Sequence, residues 1–121
     1  MPTAGERCEH VLEAIDRISA YVNGSDEQAF LQNDVLRDAC YYRFVVIGEA
    51  ADCLCRDCSN EISQLRGQHP GLAMGLSFAH KLRTRLAHIY HHVDPTIVWA
   101  TIQKDLPQLR ADIIALRSLL P

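Results

Sequence analysis

The residues best suited to chemistry are concentrated in one short segment between Arg83 and Tyr90, which also contains Arg85 and His88. Arginine keeps its charge, and its planar guanidinium can bind two phosphate oxygens at once. Histidine changes protonation near neutral pH and can therefore transfer protons. Cleavage of RNA by its own 2′-hydroxyl requires a base for that hydroxyl, an acid for the departing 5′-oxygen and a cation for the phosphate charge. The segment offers such groups, and this chemistry needs no metal ion.

The positions of Arg83 and His88 limit how they could act together. At about 100° per residue the two side chains lie roughly 140° apart on a helix, whereas Arg83 and Tyr90 nearly coincide. One straight helix therefore cannot easily aim Arg83 and His88 at one phosphate. Either the helix opens near His88, or a two-fold dimer brings copies from both subunits into a shared cleft. By residue type alone, the segment also fits an ordinary solvated helix face.

Charge is distributed unevenly along the chain. The protein of 121 residues has a net charge of −3, yet residues 62–93 contain four basic side chains and no acidic one. Five of the six histidines also lie in that stretch. A cationic strip on an acidic protein suits contact with a polyanion such as RNA at a single site, and argues against extended coating of nucleic acid. A partly buried helix that simply lacks acids would give the same pattern.

Two patterns raise the question of a metal site. Cys53, Cys55 and Cys58 lie close together, but structural zinc sites commonly take a second pair of ligands from another segment, and that pair is missing. His88 and His92 have a spacing that can hold a metal, yet no glutamate lies between them. The sequence therefore predicts no metal and no other cofactor, and the cysteines are expected to be free thiols.

Apolar residues recur at helical spacing along most of the chain, and no segment alternates as a strand would. A first helix is expected to end at Asn23-Gly24, and Asp94-Pro95 should begin another, which Pro107 should kink or restart. The fold class is therefore predicted as all-α, a helical bundle of four or five main helices. The other predicted helices are a short one that follows a Ser25 N-cap and carries Phe30, and helices over residues 34–55, 61–66 and 77–93.

Length and composition predict one domain spanning residues 1–121. No apolar run reaches the roughly 20 residues of a membrane span, and the N-terminal residues lack the apolar core of a signal peptide. We therefore expect a cytoplasmic protein without membrane contact.

The segment around Arg83 resembles the HepT-like family of the HEPN superfamily, whose motif is arginine, any four residues, histidine, any one residue and tyrosine. Here the motif positions are Arg83, His88 and Tyr90. The similarity extends over most of the chain in the family's order, and it implies a HEPN-type helical bundle. The other matching stretches are Asp38-Ala39, Ile47-Gly48-Glu49-Ala50, Val93-Asp94, Ile97-Val98-Trp99 and Asp105-Leu106-Pro107.

The resemblance also implies a function. It implies a metal-independent endoribonuclease in which Arg83 and His88 are catalytic at a site between two protomers. Such proteins are toxins of toxin–antitoxin pairs, and the implied partner is a minimal nucleotidyltransferase antitoxin of the MntA type. That enzyme would neutralise the toxin by attaching AMP to the motif tyrosine, here Tyr90. The bulky, anionic AMP would then lie on Arg83's side of the helix and block RNA. A homodimer and a larger complex with the antitoxin are implied as well.

One departure from the family pattern bears on activity. The residue after the motif arginine is typically asparagine and is Thr84 here. This leaves open an alternative, a non-catalytic helical partner of a minimal nucleotidyltransferase that binds a nucleotide or other substrate in the same cationic cleft. A purely structural dimerisation bundle is the third function compatible with the sequence.

Three further residues are candidates for a supporting role. Glu49 lies in an otherwise apolar stretch, where a buried carboxylate would need a partner. Pairing with Arg83 or Arg85 and simple exposure to solvent both fit that position. Arg85 and His92 flank the apolar stripe of their helix on the same side as His88, so contact with RNA phosphates is a hypothesis for both.

Overall fold

A computed structural model describes residues 1–88 and 93–121 of the chain. Throughout these two ranges the regular structure is helical, as predicted. The α-helices are α1 (Ala4–Val22), α2 (Glu27–Gln32), α3 (Asp34–Asp57), α4 (Ser59–Gln64), α5 (Leu72–His88), α6 (Pro95–Ala100) and α7 (Leu106–Ser118), with a π-helical turn at Thr101–Asp105 joining the last two.

The four main helices form a closed bundle around one apolar core. Helix α3 packs between α1 and α5, and α7 contacts both α1 and α5 from the other side. Each helix therefore has a neighbour on either side, which is the arrangement of a four-helix bundle. The largest fully buried side chains come from all four of these helices and from α2 and α6, and they include Ile15, Ile18, Phe30, Ile47, Leu54, Leu72, Leu76, Val98, Ile113 and Leu116.

Local sequence signals account for several helix ends. Helix α1 ends before Gly24, whose positive φ of 81° suits a residue without a side chain. The Asp94 side chain accepts a hydrogen bond from the backbone N–H of Thr96 at 2.9 Å, and Pro95 is the first residue of α6, as predicted. The N-cap of α2 is Asp26, which accepts from Ala29 N–H at 2.8 Å; the prediction of Ser25 in that role was wrong by one residue.

Two further predictions concerned helix bounds near the motif. Helix α5 begins at Leu72, five residues before the predicted start at Ser77, because Leu72 and Leu76 are both buried and extend the apolar face. The predicted break at Pro107 takes the form of the π-helical turn just before it. There Leu106 N–H donates to Thr101 O, five residues back.

The short helices α2 and α6 pack against each other. The ring of Phe30 on α2 lies against Trp99 on α6, with 5.3 Å between the ring centroids. Arg37 on α3 donates to the carbonyl of Phe30 at 3.1 Å, so the α2 C-terminus is held by its neighbour. Among the described residues, none of the helices is long and apolar enough to cross a membrane.

Candidate active site on helix α5

Helices α3 and α5 are in close contact where Gly48 meets Arg83. A Cβ atom added to Gly48 would lie 2.1 Å from the Cβ of Arg83 and 2.7 Å from the carbonyl oxygen of Ala79. Only glycine fits there, because one of those neighbours is backbone and cannot rotate away. The Ile47-Gly48-Glu49-Ala50 stretch therefore sets the distance at which α5 presents its arginine.

The next residue of α3, Glu49, fixes the arginine side chain. The guanidinium Nη2 of Arg83 donates to Glu49 Oε1 at 2.5 Å. The Arg83 side chain is 25% exposed and that of Glu49 is 59% exposed, so the pair lies at the protein surface. The sequence left Arg83 and Arg85 as possible partners of Glu49, and in the structure Glu49 pairs with Arg83. Arg83 Nε is buried and has no acceptor within residues 1–88 and 93–121.

His80 lies on α5 one helical turn before Arg83, and it also approaches an acidic side chain of α3. Its Nε2 atom lies 4.0 Å from Asp52 Oδ1, and Asp52 also pairs with Arg56 at 3.5 Å. Thr84, which replaces the family's usual asparagine, donates its hydroxyl to the carbonyl of His80 at 3.1 Å. That hydroxyl is therefore engaged with the backbone of its own helix.

His88 is the last residue of α5 that the structure describes, and it is exposed. Because α5 remains helical up to His88, Arg83 and His88 project from sides of the helix that differ by roughly 140°. They are also separated by about 7.5 Å along its axis. Tyr90 and His92 lie outside the described residues.

Arg85 is on the opposite side of α5 from the Glu49 pair. It lines a groove of about 350 Å³ between α5 and α6. Two other residues of this groove, Phe78 and Lys81, were not among the predicted site residues. The spacing of 78, 81 and 85 places them on one face with Arg85, and that periodicity was the available signal.

A second polar cluster joins the loop before α5 to α7. Asp112 is only 2% exposed, and its Oδ1 accepts from Gln108 Nε2 at 2.9 Å and lies 2.7 Å from His69 Nδ1. The sequence prediction missed this cluster, because His69 and Asp112 are 43 residues apart and no local pattern links them. Both contacts are made by the same carboxylate oxygen, and pairing of this kind is typical of a buried polar group.

The cysteines form no disulfide. All five are free thiols, and Cys8, Cys40 and Cys58 are buried. Burial raises the pKa of both Cys8 and Cys40 to about 11. Within the described part of the chain, no group of three or more histidine, cysteine or acidic side chains is arranged to hold a metal ion.

Comparison with known proteins assigns the family. The Ribonuclease HepT-like family matches residues 11–116, a range that includes α3, α5 and the whole Gly48–Arg83 contact. The chain therefore belongs to the Ribonuclease HepT-like family, and the resemblance based on its motif is confirmed. The all-α bundle expected from that family is confirmed as well.

Three curated relatives are similar over most of this chain. A Thermococcus cleftensis protein named "Probable ribonuclease HepT" is 27% identical over 90% of this chain and 91% of its own length. A Caldanaerobacter subterraneus protein named "Putative RNase" is 26% identical over 93% of each chain. A Methanocaldococcus jannaschii protein named "Gamma-glutamylcyclotransferase and putative RNase" is 29% identical over 87% of this chain, which spans only 43% of that relative. No solved structure matches the chain.

Proposed function

We propose that the protein is a metal-independent endoribonuclease and the toxin of a toxin–antitoxin pair, with Arg83 and His88 as its catalytic residues. The observation that carries the proposal is the Arg83 guanidinium, held at the surface of α5 by Glu49 and by the contact with Gly48. A pre-positioned cation of this kind stabilises the charge that develops on a phosphate without reorganisation. Two relatives that align over nearly their whole length are named "Probable ribonuclease HepT" and "Putative RNase", and these names support the same activity.

In this mechanism His88 transfers protons and Arg83 binds the reacting phosphate. A base removes the proton of the 2′-hydroxyl, the 2′-oxygen attacks the adjacent phosphorus, and the bond to the 5′-oxygen breaks as that oxygen takes up a proton. The products are a 2′,3′-cyclic phosphate and a free 5′-hydroxyl. Exposure of His88 allows it to reach the substrate as base or acid.

The geometry of α5 favours a homodimer. One helix directs Arg83 and His88 to sides roughly 140° apart, so a single protomer does not bring both to one phosphate. Two copies related by a two-fold axis could supply Arg83 from one protomer and His88 from its partner. We therefore propose that one domain, spanning residues 1–121, forms the active enzyme as a dimer.

The proposed partner is a minimal nucleotidyltransferase antitoxin of the MntA type, bound in a larger complex, that transfers AMP to Tyr90. Mass spectrometry after incubation with ATP and an enzyme of this class should find AMP on the wild-type protein and not on Tyr90→Phe. Tyr42→Phe, which alters an exposed tyrosine on α3, is the matched control and should still be modified. AMP on Tyr90→Phe would contradict the assignment of that residue.

The ribonuclease proposal is tested by RNA cleavage in EDTA with wild type, His88→Ala and Arg83→Ala. Arg17→Ala, which removes an exposed arginine from α1, is the control. Wild type and Arg17→Ala should release 2′,3′-cyclic phosphate ends, while loss of the proton-transfer group should lower the rate about 10²- to 10⁴-fold. Equal cleavage by all four proteins, or cleavage only when a divalent ion is added, would contradict the proposal.

A further inference from the structure

One face of α5 is exposed along its whole length and changes character from apolar to cationic. Its residues are spaced four, three, four and three apart, so at about 100° per residue they fall within a sector of roughly 80°. All of them are exposed, and they lead from the N-terminal half of the helix to the proposed catalytic histidine: Met74, Phe78, Lys81, Arg85 and His88.

The groove beside this face has an apolar floor and a cationic rim. Its floor is formed by Leu82 and Val98, which are 6% and 0% exposed. Phe78 on α5 and Ile97 on α6 also line the groove and are 42% and 57% exposed, so the groove presents two large apolar side chains to solvent. Lys81 and Arg85 line the groove on the α5 side.

We propose that this groove is a subsite for single-stranded RNA, in which one base stacks on Phe78 and packs against Ile97. The flanking phosphates contact Lys81 and Arg85, and the strand continues along α5 towards His88. Aromatic stacking platforms beside cationic side chains are the common means of binding single strands. The inference rests on the proposed ribonuclease function and adds to it a binding site outside the catalytic pair.

The charges of the groove favour RNA over a second copy of the chain as its occupant. Neither Lys81 nor Arg85 forms an ion pair with an acidic side chain in the described ranges. The one acid that lines the groove is Asp94, and its side chain already caps α6. A two-fold copy would bring this cationic face close to itself, whereas a phosphodiester strand supplies the missing anions.

Binding can be measured separately from cleavage with a fluorescent, mixed-sequence 2′-O-methyl RNA, which lacks the attacking hydroxyl. Phe78→Ala should raise the Kd of this probe about tenfold. Phe78→Trp, which retains a stacking surface, should stay within about twofold of wild type. Arg85→Ala should raise the Kd and reduce the salt dependence by about one phosphate contact. Met74→Ala, on the same face but outside this groove, is the matched control and should bind as wild type does.

Three results would distinguish failure of the RNA subsite, failure of the ribonuclease proposal and use of this face as a dimer interface. An unchanged Kd for Phe78→Ala, with cleavage by wild type intact, would overturn the subsite and leave the ribonuclease proposal standing. Phe78-dependent binding of the probe, without cleavage of ordinary RNA, would support the subsite and contradict the nuclease. Loss of binding by Phe78→Ala only in step with loss of a dimer, measured by light scattering, would show that this face joins two copies and would overturn the proposal.

Discussion

Gly48 lies directly beneath Arg83, so closely that even a methyl group on α3 would displace the helix that carries the motif arginine. The added Cβ would be 2.1 Å from Arg83 Cβ and 2.7 Å from the backbone carbonyl oxygen of Ala79. The glycine and the arginine are 35 residues apart in sequence and act as one structural unit. A residue with no functional group therefore sets the position of the principal candidate for phosphate binding.

Gly48→Ala should consequently reduce both stability and cleavage. Overpacking at a close helix contact typically costs about 1–3 kcal/mol, and the shift of α5 should move Arg83 away from its partner. Gly67→Ala is the matched control, because a Cβ at Gly67 meets no atom within 4 Å. Urea unfolding and RNA cleavage per folded molecule provide the measurements. A Gly48→Ala protein as stable and active as Gly67→Ala would contradict the importance of the contact.

Glu49 should matter more for catalysis than for stability. Its ion pair with Arg83 is substantially exposed, and exposed pairs contribute only about 0.2–1 kcal/mol to folding. Without Glu49, however, the Arg83 side chain gains rotational freedom, and a small misplacement can cost about 10²-fold in rate. We expect Glu49→Ala to lower kcat with little change in KM, and Glu49→Gln, which retains an acceptor, to fall between it and wild type.

A comparable ion pair elsewhere serves as the control for Glu49. Asp16 on α1 pairs with Arg110 on α7 at 2.8 Å and is similarly exposed. Asp16→Asn should change the free energy of unfolding by a similar small amount and leave kcat unchanged. If Glu49→Ala altered only stability, or if both variants lowered kcat equally, the positioning role of Glu49 would be excluded.

The fold followed from the sequence because helix formation depends on local patterns. Apolar periodicity predicted the main helices, and Asn23-Gly24 and Asp94-Pro95 predicted ends that the structure confirms. The early start of α5 was missed because residues 72–76 follow Gly71, include Gly75 and have no serine, threonine, aspartate or asparagine directly before them to cap a helix. Such a segment becomes helical through burial of Leu72 and Leu76, which periodicity over a short window does not reveal.

The candidate site was only partly predictable. Arg83 and His88 could be singled out by residue type, and Glu49 could be recognised as a carboxylate that needs a partner. Whether Glu49 pairs with Arg83 or with Arg85 depends on how α3 and α5 cross. That crossing depends in turn on the close contact at Gly48. The groove at Phe78 likewise depends on the position of α6 relative to α5, because both helices line it. Contacts between helices are set by tertiary packing, and no single segment encodes them.

The buried Asp112 cluster should contribute to stability and not to catalysis. Asp112→Ala would leave the mostly buried ring of His69 without its acceptor, which typically costs about 1–3 kcal/mol, whereas the amide of Gln108 is exposed and can bind water. His69→Ala should cost a similar amount. In a double-mutant cycle followed by urea unfolding, the two should show a coupling of about 0.5–3 kcal/mol. Strictly additive effects would mean that the 2.7 Å contact does not contribute to the folded state.

The buried thiols should make the fold less stable in alkaline solution. Burial alone raises the pKa of Cys40 from 9.0 to about 11, so the folded protein keeps this proton when the unfolded chain has lost it. Between these two values a rise in pH therefore favours unfolding, and the loss for this one thiol approaches about 2–3 kcal/mol by linkage. Below pH 9 the contribution of Cys40 to stability should be constant.

The measurement is the free energy of unfolding in urea at several pH values from 8 to 11, compared between wild type and Cys40→Ala. Tyrosine and lysine side chains titrate in the same range, so the informative quantity is the difference in slope between the two proteins. Cys40→Ala should start less stable, because it leaves a small cavity, yet lose stability less steeply as the pH rises. Val11→Ala, an equally buried truncation without a titratable group, should be destabilised at every pH with the slope of wild type. Equal slopes for all three proteins would show that the Cys40 thiol ionises as readily in the folded state as in the unfolded chain.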